Sequence, residues 1–459
     1  QAAAGTVFDS SEVHTIALEV DEADLVAMIA TYLDSGEKEW ITASVTIDGE
    51  TFENVGIKLK GNSSLRSITT DTPAQDIPWR IRLDKYVDGQ SIDGYSDFVI
   101  RSNSSETALN EAVALELLGA AGLATEQSVA TRFSVNGSEE SLRLTLQNLD
   151  DAWVADNFDD DDGEGDGDGD SATAGSVLYK ANAEGDYSWR GEDAASYTEA
   201  FDVEAGEEDY APLIELLDLA NNSSDEDFAA QLPDLLDVES FATYLAYEDV
   251  IGNFDDISGP GNNSYLYYDA ATQQFTVVAW DHNLAFGVAN VGGGGGGMPG
   301  GGIPEGGMPE LPEGVEPGDV PEGFEPGQRP EGMRPPGTAR EGATDDATDS
   351  GATDEGAADE GASVDGGAMP GERPQGMGGG GGGGMTKENA LVDRFLENEE
   401  FSALYDAALV DLQGTLIDSG LLQETVDRLA AVITDGARDL VDAETVSSEA
   451  SAITDFSPD

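Results

Sequence analysis

Cysteine is absent from this chain of 459 residues, which removes disulfide cross-links and thiolate chemistry together. Cations are scarce: 20 Lys and Arg stand against 94 Asp and Glu, a formal charge of −74. Such a surface repels a phosphate backbone, so nucleic acid is excluded as a partner, and anionic lipid is disfavoured for the same reason. No run approaches the ~18–20 apolar residues of a membrane span. Only two histidines occur. His14 is set aside, and His282 reads as strand packing rather than as a base. The charge excess keeps a protein dispersed but destabilises its compact state at low ionic strength. It reads as adaptation to salt or to a cation-rich exterior, with a salt-adapted cytoplasm as the rival explanation. Gln1-Ala2-Ala3-Ala4-Gly5 reads as the start of a processed chain, so a secreted or cell-surface location is expected, with a signal peptide removed.

What is present divides into four stretches. Residues 1–176 carry many short alternating patterns: 13–20, 43–47 and 52–59 around Asp48-Gly49, 79–83, 98–101, and 128–135 with 142–146 around Asn136-Gly137. Helical spacing appears there at 21–33 and 106–118. Residues 177–287 read as helices over 211–219, 228–236 and 238–251, followed by strands over 265–268 and 275–280. Residues 288–385 change abruptly to glycine runs, Pro-Glu-Gly units and acidic repeats, a composition that cannot offset chain entropy and reads as a disordered insert. Helical periodicity returns in 386–459, so the insert interrupts a domain rather than ending one. The acidic stretch over 159–175 places Glu164, Asp166, Asp168 and Gly169 like an EF-hand. Its twelfth position is Gly175 instead of a bidentate Glu, so loose cation condensation is the expectation.

The chemistry-bearing residues concentrate after 251. Gly252-Asn253-Phe254-Asp255-Asp256 leads through Ser258-Gly259-Pro260-Gly261-Asn262-Asn263 into a strand, and the next strand ends in Trp280-Asp281-His282-Asn283. An acid, a carboxamide and a second acid therefore follow in order. Phosphoryl transfer uses those groups: a carboxylate to orient a hydroxyl, and an Asn with an Asp to hold magnesium on phosphates. Asp256 stands beside Asp255, so either could be that first carboxylate. Earlier, Val55-Gly56-Ile57-Lys58-Leu59-Lys60-Gly61-Asn62-Ser63-Ser64 ends a strand in a cation, a glycine and polar donors suited to phosphate oxygens. Arg80 and Arg82 share one strand face in Pro78-Trp79-Arg80-Ile81-Arg82-Leu83.

Together these motifs resemble the spore-coat CotH kinase family, over roughly 13–286 and again from 386. The resemblance implies an α+β, atypical protein-kinase-like, two-lobed fold, with a strand-rich N-terminal lobe and a helical C-terminal lobe. It implies ATP- and magnesium-dependent phosphoryl transfer, with manganese as the alternative ion, to Ser or Thr of an extracellular or coat-type protein. By that resemblance Asp255 is the catalytic carboxylate, and Asn263 and Asp281 are the metal ligands. Lys60, Asn62, Ser63, Arg82 and Glu111 contact the nucleotide, Glu111 by holding Lys60 or Arg82 in place. The chain departs from protein kinases in the eight-residue step from Asp255 to Asn263, where they use five, and in having no Gly-x-Gly-x-x-Gly loop. Asn283 replaces the second acid of many relatives. The rival readings are a catalytically silent adhesion or assembly protein of the same fold and a cation-binding matrix protein. A glycosidase with paired carboxylates is a further one, although with 94 acids any such pair says little.

Overall fold

The computed structural model describes residues 5–158, 175–182, 185–288 and 389–457, all within one compact unit. The acidic stretch and almost the whole of the insert lie outside the described residues.

The first half is built on strands β1 (His14–Val20), β2 (Ile41–Ile47), β3 (Glu50–Leu59), β4 (Trp79–Arg82), β5 (Asp97–Ile100), β6 (Ser128–Val135) and β7 (Ser141–Gln147). They close as a barrel in the order β1-β2-β3-β4-β5-β7-β6. Neighbours pair antiparallel except at the seam, where β1 runs parallel to β6 with Ile16 opposite Phe133. Alternation sends Val45, Ile47, Val55, Ile57, Leu59, Trp79, Ile81, Phe98 and Phe133 inward, each essentially without exposure. A barrel of this size is filled by such side chains. Helix α1 (Glu22–Ser35) begins where Asp21 accepts from the Ala23 amide and ends on Gly36 in the left-handed conformation. Helix α2 (Leu109–Ala120) is buried almost all round, against the barrel on one side and the later helices on the other.

After α3 (Asp151–Phe158) comes a second sheet of β8 (Val177–Ala181), β9 (Phe201–Gly206), β10 (Ser264–Asp269) and β11 (Gln274–Ala279), in the order β11-β10-β8-β9. Helices α4 (Ala211–Asn222), α5 (Asp225–Leu235) and α6 (Val238–Ile251) separate its strands in sequence. The chain beyond the insert supplies α7 (Ala390–Glu397), α8 (Glu399–Leu412), α9 (Leu421–Gly436) and α10 (Ala443–Thr454), with a π-helical turn over Gln413–Asp418. One apolar core takes in Leu118, Phe201, Leu216, Phe241, Leu391, Phe395 and Val426, so residues on both sides of the insert share it.

The expectation of a strand-rich half followed by a helical half thus holds at the level of an α+β chain. Closure of the strands into a barrel goes beyond it. The pairing that closes the ring joins β1 to β6, far apart in sequence, and no local pattern specifies it. Helix α3 and strand β9 were also not anticipated.

Candidate functional site

Helix α6 stops at Gly252, left-handed at φ 62°, whose N–H bonds the Asp249 carbonyl. The loop that follows is fixed by its own backbone. The Asp256 carbonyl accepts from the Gly259 and Asn263 amides at 3.0 and 3.2 Å, and its carboxylate accepts from the Ser258 amide at 2.8 Å. Burial, with Glu248 nearby, pushes the Asp256 carboxyl up to about 7. Asp256 thus braces the loop from within, and Asp255 holds its Gly261 end. The Gly261 amide donates to the Asp255 carboxylate at 2.6 Å. A methyl at Gly261 would lie 2.9 Å from both Asp255 carboxylate oxygens and 3.1 Å from Asn263 Oδ1. The acid and the carboxamide thus face one small space that only glycine leaves open.

Asp281 reaches the same end of the second sheet through register. The β10–β11 ladder ends at Ser264 opposite Ala279, so Asn263 and Asp281 leave the hairpin one and two residues beyond its last pair. Asp281 is left-handed, φ 65° and ψ 62°, unusual for a residue with a side chain. Its carboxylate is ion-paired to Arg101, which also clamps Glu111 through contacts of 2.8 and 3.1 Å. Glu111 is 2 % exposed, and Asn110 beside it donates to the Asn283 carbonyl at 2.8 Å. The end of β5 and the start of α2 therefore grip the segment that carries Asp281.

Glu248 ties the two acidic motifs together. One of its oxygens accepts from Asn253 at 2.8 Å, and the other meets His282 Nε2 at 3.2 Å. His282 is fully buried; burial opposes its charge, yet Glu248 and its neighbouring carboxylates raise its pKa above the ordinary value. This histidine is an ion-paired anchor, more than the strand packing expected. His14 similarly pairs with Asp48 at 2.7 Å. Close to the Arg101 cluster, burial raises Glu126 to about 7, and its Oε2 has no hydrogen-bond partner.

Lys60 leaves the end of β3 with its ammonium 5.7 Å from the centre of the Trp280 ring, beside the residue that precedes Asp281. Burial pulls its pKa well below the usual lysine value, and Lys180 and Arg80 add to the effect. Glu204 stands in the field of Lys60, Lys180, Arg80 and Lys58. Asn62 accepts from Lys38 at 2.7 Å, and Ser63 opens the short turn Ser63–Leu65. Arg82 pairs with Asp84 at 2.8 Å, and Arg80 is held by Asp97 through bonds of 2.7 to 3.1 Å. The expected partnership of Glu111 with Lys60 or Arg82 is not what forms: Glu111 pairs with Arg101, which the β5–α2 packing brings to it.

The structure therefore unites Asp255 with Asn263, Lys60 with Trp280, and Asp281 with Arg101 and Glu111. It leaves Arg82 engaged with its own chain neighbour. Arg101, Glu248, Lys180 and Glu204 were missed by sequence reasoning. Of these only Arg101 carried a signal, as one of few cations, placed just before the helix of Glu111. Asp255, Asn263 and Asp281 present oxygen donors of the kind magnesium takes. Among the described residues, no group of three or more Asp, Glu, His or Cys could hold a metal ion. Any ion here would have two or three protein ligands and take the rest from water and phosphate, as magnesium commonly does.

None of the curated proteins matches this chain. A family model described as CotH kinase protein matches residues 57–315, more than half of its length and inclusive of Lys60, Glu111, Asp255, Asn263 and Asp281. The chain belongs to the CotH kinase protein family.

Proposed function

We propose that this protein transfers the γ-phosphoryl group of ATP to a Ser or Thr hydroxyl of an acceptor protein outside the cell, in a kinase-like two-lobed arrangement. The barrel would be the nucleotide-facing lobe and the second sheet with its helices the other. The observation that carries the reading is the convergence of Asp255 and Asn263 on the space at Gly261, at the end of the hairpin that also delivers Asp281. Asp255 accepts the hydroxyl proton as the acceptor oxygen bonds to the γ-phosphorus. The bond from that phosphorus to the β–γ bridging oxygen breaks, and ADP leaves. Geometry favours Asp255 over Asp256 for this role, because the Asp255 carboxylate and Asn263 Oδ1 border the same space at Gly261. Asn263 and Asp281 would hold magnesium, or manganese, which when bound neutralises charge on the phosphates. Lys60, with Asn62 and Ser63 at the following turn, faces the phosphate chain, and Arg101 with Glu111 keeps Asp281 in place.

Purified protein incubated with γ-labelled ATP, magnesium and candidate acceptors, followed by phosphosite mapping, tests the assignment. Asp255→Ala is expected to slow transfer by about 10²–10⁴-fold, and Asp281→Ala to abolish metal-dependent nucleotide binding. Transfer undiminished in Asp255→Ala overturns the assignment. A second reading, nucleotide binding without transfer in an assembly protein, is favoured by the Arg101–Asp281 ion pair, which engages the carboxylate a metal would need. Magnesium-dependent ATP binding with no labelled product under any acceptor supports that reading instead.

A further inference from the structure

Helix α10 ends at Thr454, and just beyond it Phe456 packs onto the large apolar core, its N–H on the Ile453 carbonyl at 3.3 Å. Its ring lies against two glycines. A methyl at Gly252 would stand 2.2 Å from Phe456 Cζ, and one at Gly287 would stand 3.5 Å from Cδ2 and Cε2. Gly252 closes α6 and opens the Asp255 loop, and Gly287 closes the segment that begins at Asp281. One side chain therefore touches the base of both loops. The Asp281 segment needs such support. Asp281, Phe286 and Gly287 are all left-handed, at φ 65°, 59° and 71°. A bulky residue such as Phe286 holds that conformation only where its surroundings impose it. Phe286 is 4 % exposed, and Phe456 meets it edge-on, with ring centres 5.9 Å apart at 83°. Glu248 bridges Asn253 to His282 through polar contacts; Phe456 bridges Gly252 to Gly287 through apolar ones.

We propose that Phe456 is a positioning residue: its ring fixes Gly252 and Gly287 relative to one another, and so keeps the Asp255 loop in register with the segment that carries Asp281. It acts through the two backbones and touches neither nucleotide nor acceptor. The inference rests on the phosphoryl-transfer reading for its effect on rate, whereas its effect on the order of the loops stands without that reading. Reacting groups displaced by about 1 Å lose on the order of 10²-fold in rate, so a brace remote from the chemistry can govern kcat. Val250, Ile417 and Leu422 line a cavity of about 180 Å³ beside the ring. Truncating Phe456 therefore widens a void already present, and the loops lose a contact that collapse of the site does not restore.

The test compares three variants of the full chain. Phe456→Ala removes the ring, Phe456→Leu keeps much of its bulk, and Val446→Ala truncates a buried residue near the opposite end of α10. Hydrogen exchange is read at the Asn253, Gly259, Gly261 and Asn263 amides, all of them hydrogen-bonded in the Asp255 loop. In Phe456→Ala these amides are expected to exchange about tenfold faster than in the wild type, with Phe456→Leu between the two and Val446→Ala at the wild-type rate. In transfer assays kcat of Phe456→Ala should fall by about 10–100-fold while KM for the acceptor stays unchanged, and Phe456→Leu should recover most of the loss. Wild-type exchange in Phe456→Ala overturns the proposal. The same acceleration in Val446→Ala also overturns it, because the contact would then be no more than a part of the helical core. So does faster exchange with kcat unchanged. If Phe456→Ala does not fold, Phe456→Leu against Val446→Ala carries the same comparison. Faster exchange in Phe456→Ala, with no transfer by the wild type to any acceptor, upholds the brace and overturns the phosphoryl-transfer reading instead.

Discussion

Asp281 carries three demands at once: a left-handed backbone, an ion pair with Arg101 and a place at the open end of the β10–β11 hairpin. Arg101 is 13 % exposed and its other partner Glu111 only 2 %, so removing the guanidinium leaves a buried carboxylate uncompensated. Arg101→Gln is expected to cost on the order of 3–5 kcal/mol. Arg101→Gln/Glu111→Gln should recover part of that loss, because the stranded charge goes with its partner. Denaturant unfolding of the three proteins measures this, and an Arg101→Gln midpoint equal to wild type would show the clamp contributes nothing. Glu126 gives a pH prediction. Its carboxyl is raised from 4.5 to about 7 by burial, so below about 4.5 both folded and unfolded forms hold the proton and nothing is lost. As pH rises toward about 7 the unfolded chain ionises first and folding is progressively penalised, by an amount on the order of 3 kcal/mol once both are ionised. Glu126→Gln should therefore raise the melting temperature at pH 8 and leave it little changed at pH 4. A uniform shift at both pH values would contradict the burial argument. His282, with its pKa raised, acts in the same direction: its stabilising ion pair is present below about 6.5 and lost as pH climbs through the folded value.

Elements meet at this site through capping and register more than through apolar contact alone. Asn389 N-caps α7 and also donates to the Ile257 carbonyl at 3.1 Å, so the first described residue after the insert braces the Asp255 loop. Arg394 on α7 closes the end of α4, donating to the Leu219 and Ala220 carbonyls at 3.2 and 2.9 Å, and stacks on Phe228 of α5 at 4.3 Å. Arg394→Ala should destabilise the protein by roughly 1–3 kcal/mol through those unsatisfied carbonyls. Because α7 packs on the helices that lead to Asp255, lowered thermal stability should appear together with weaker nucleotide binding. Thermal unfolding and ATP titration of the one variant check both, and an unchanged melting temperature would mean water replaces the guanidinium without loss. Local pattern already displayed most of these elements. The span 13–20 against His14–Val20, 128–135 against Ser128–Val135 and 238–251 against Val238–Ile251 show how far alternation and helical spacing carry. Helix α3 was missed because it is short and lies against the acidic stretch, whose composition dominates any window across it.

The whole molecule must hold a formal charge of −74 in compact form. Raising salt from 0.1 to 1 M shortens the screening length from ~10 to ~3 Å and weakens that self-repulsion. The melting temperature should therefore rise by several degrees, and a melt independent of salt would show that the acids are locally neutralised. The residue types at the site follow from the sequence alone. Asp255, Asn263 and Asp281 flank a hairpin whose register can be read from alternation, and short-range geometry is what local pattern encodes. Lys60 at the end of its strand was legible for the same reason. Tertiary structure decided what could not be local. Barrel closure joins β1 to β6, Arg101 rather than Lys60 meets Glu111, and Glu248 bridges Asn253 to His282. Each of these joins residues brought together only by the packing of whole elements, and a buried charge takes the partner that packing places beside it. Sequence therefore determined which chemical groups the chain possesses and which strand ends carry them; the fold alone determined which charges neutralise one another and which face outward.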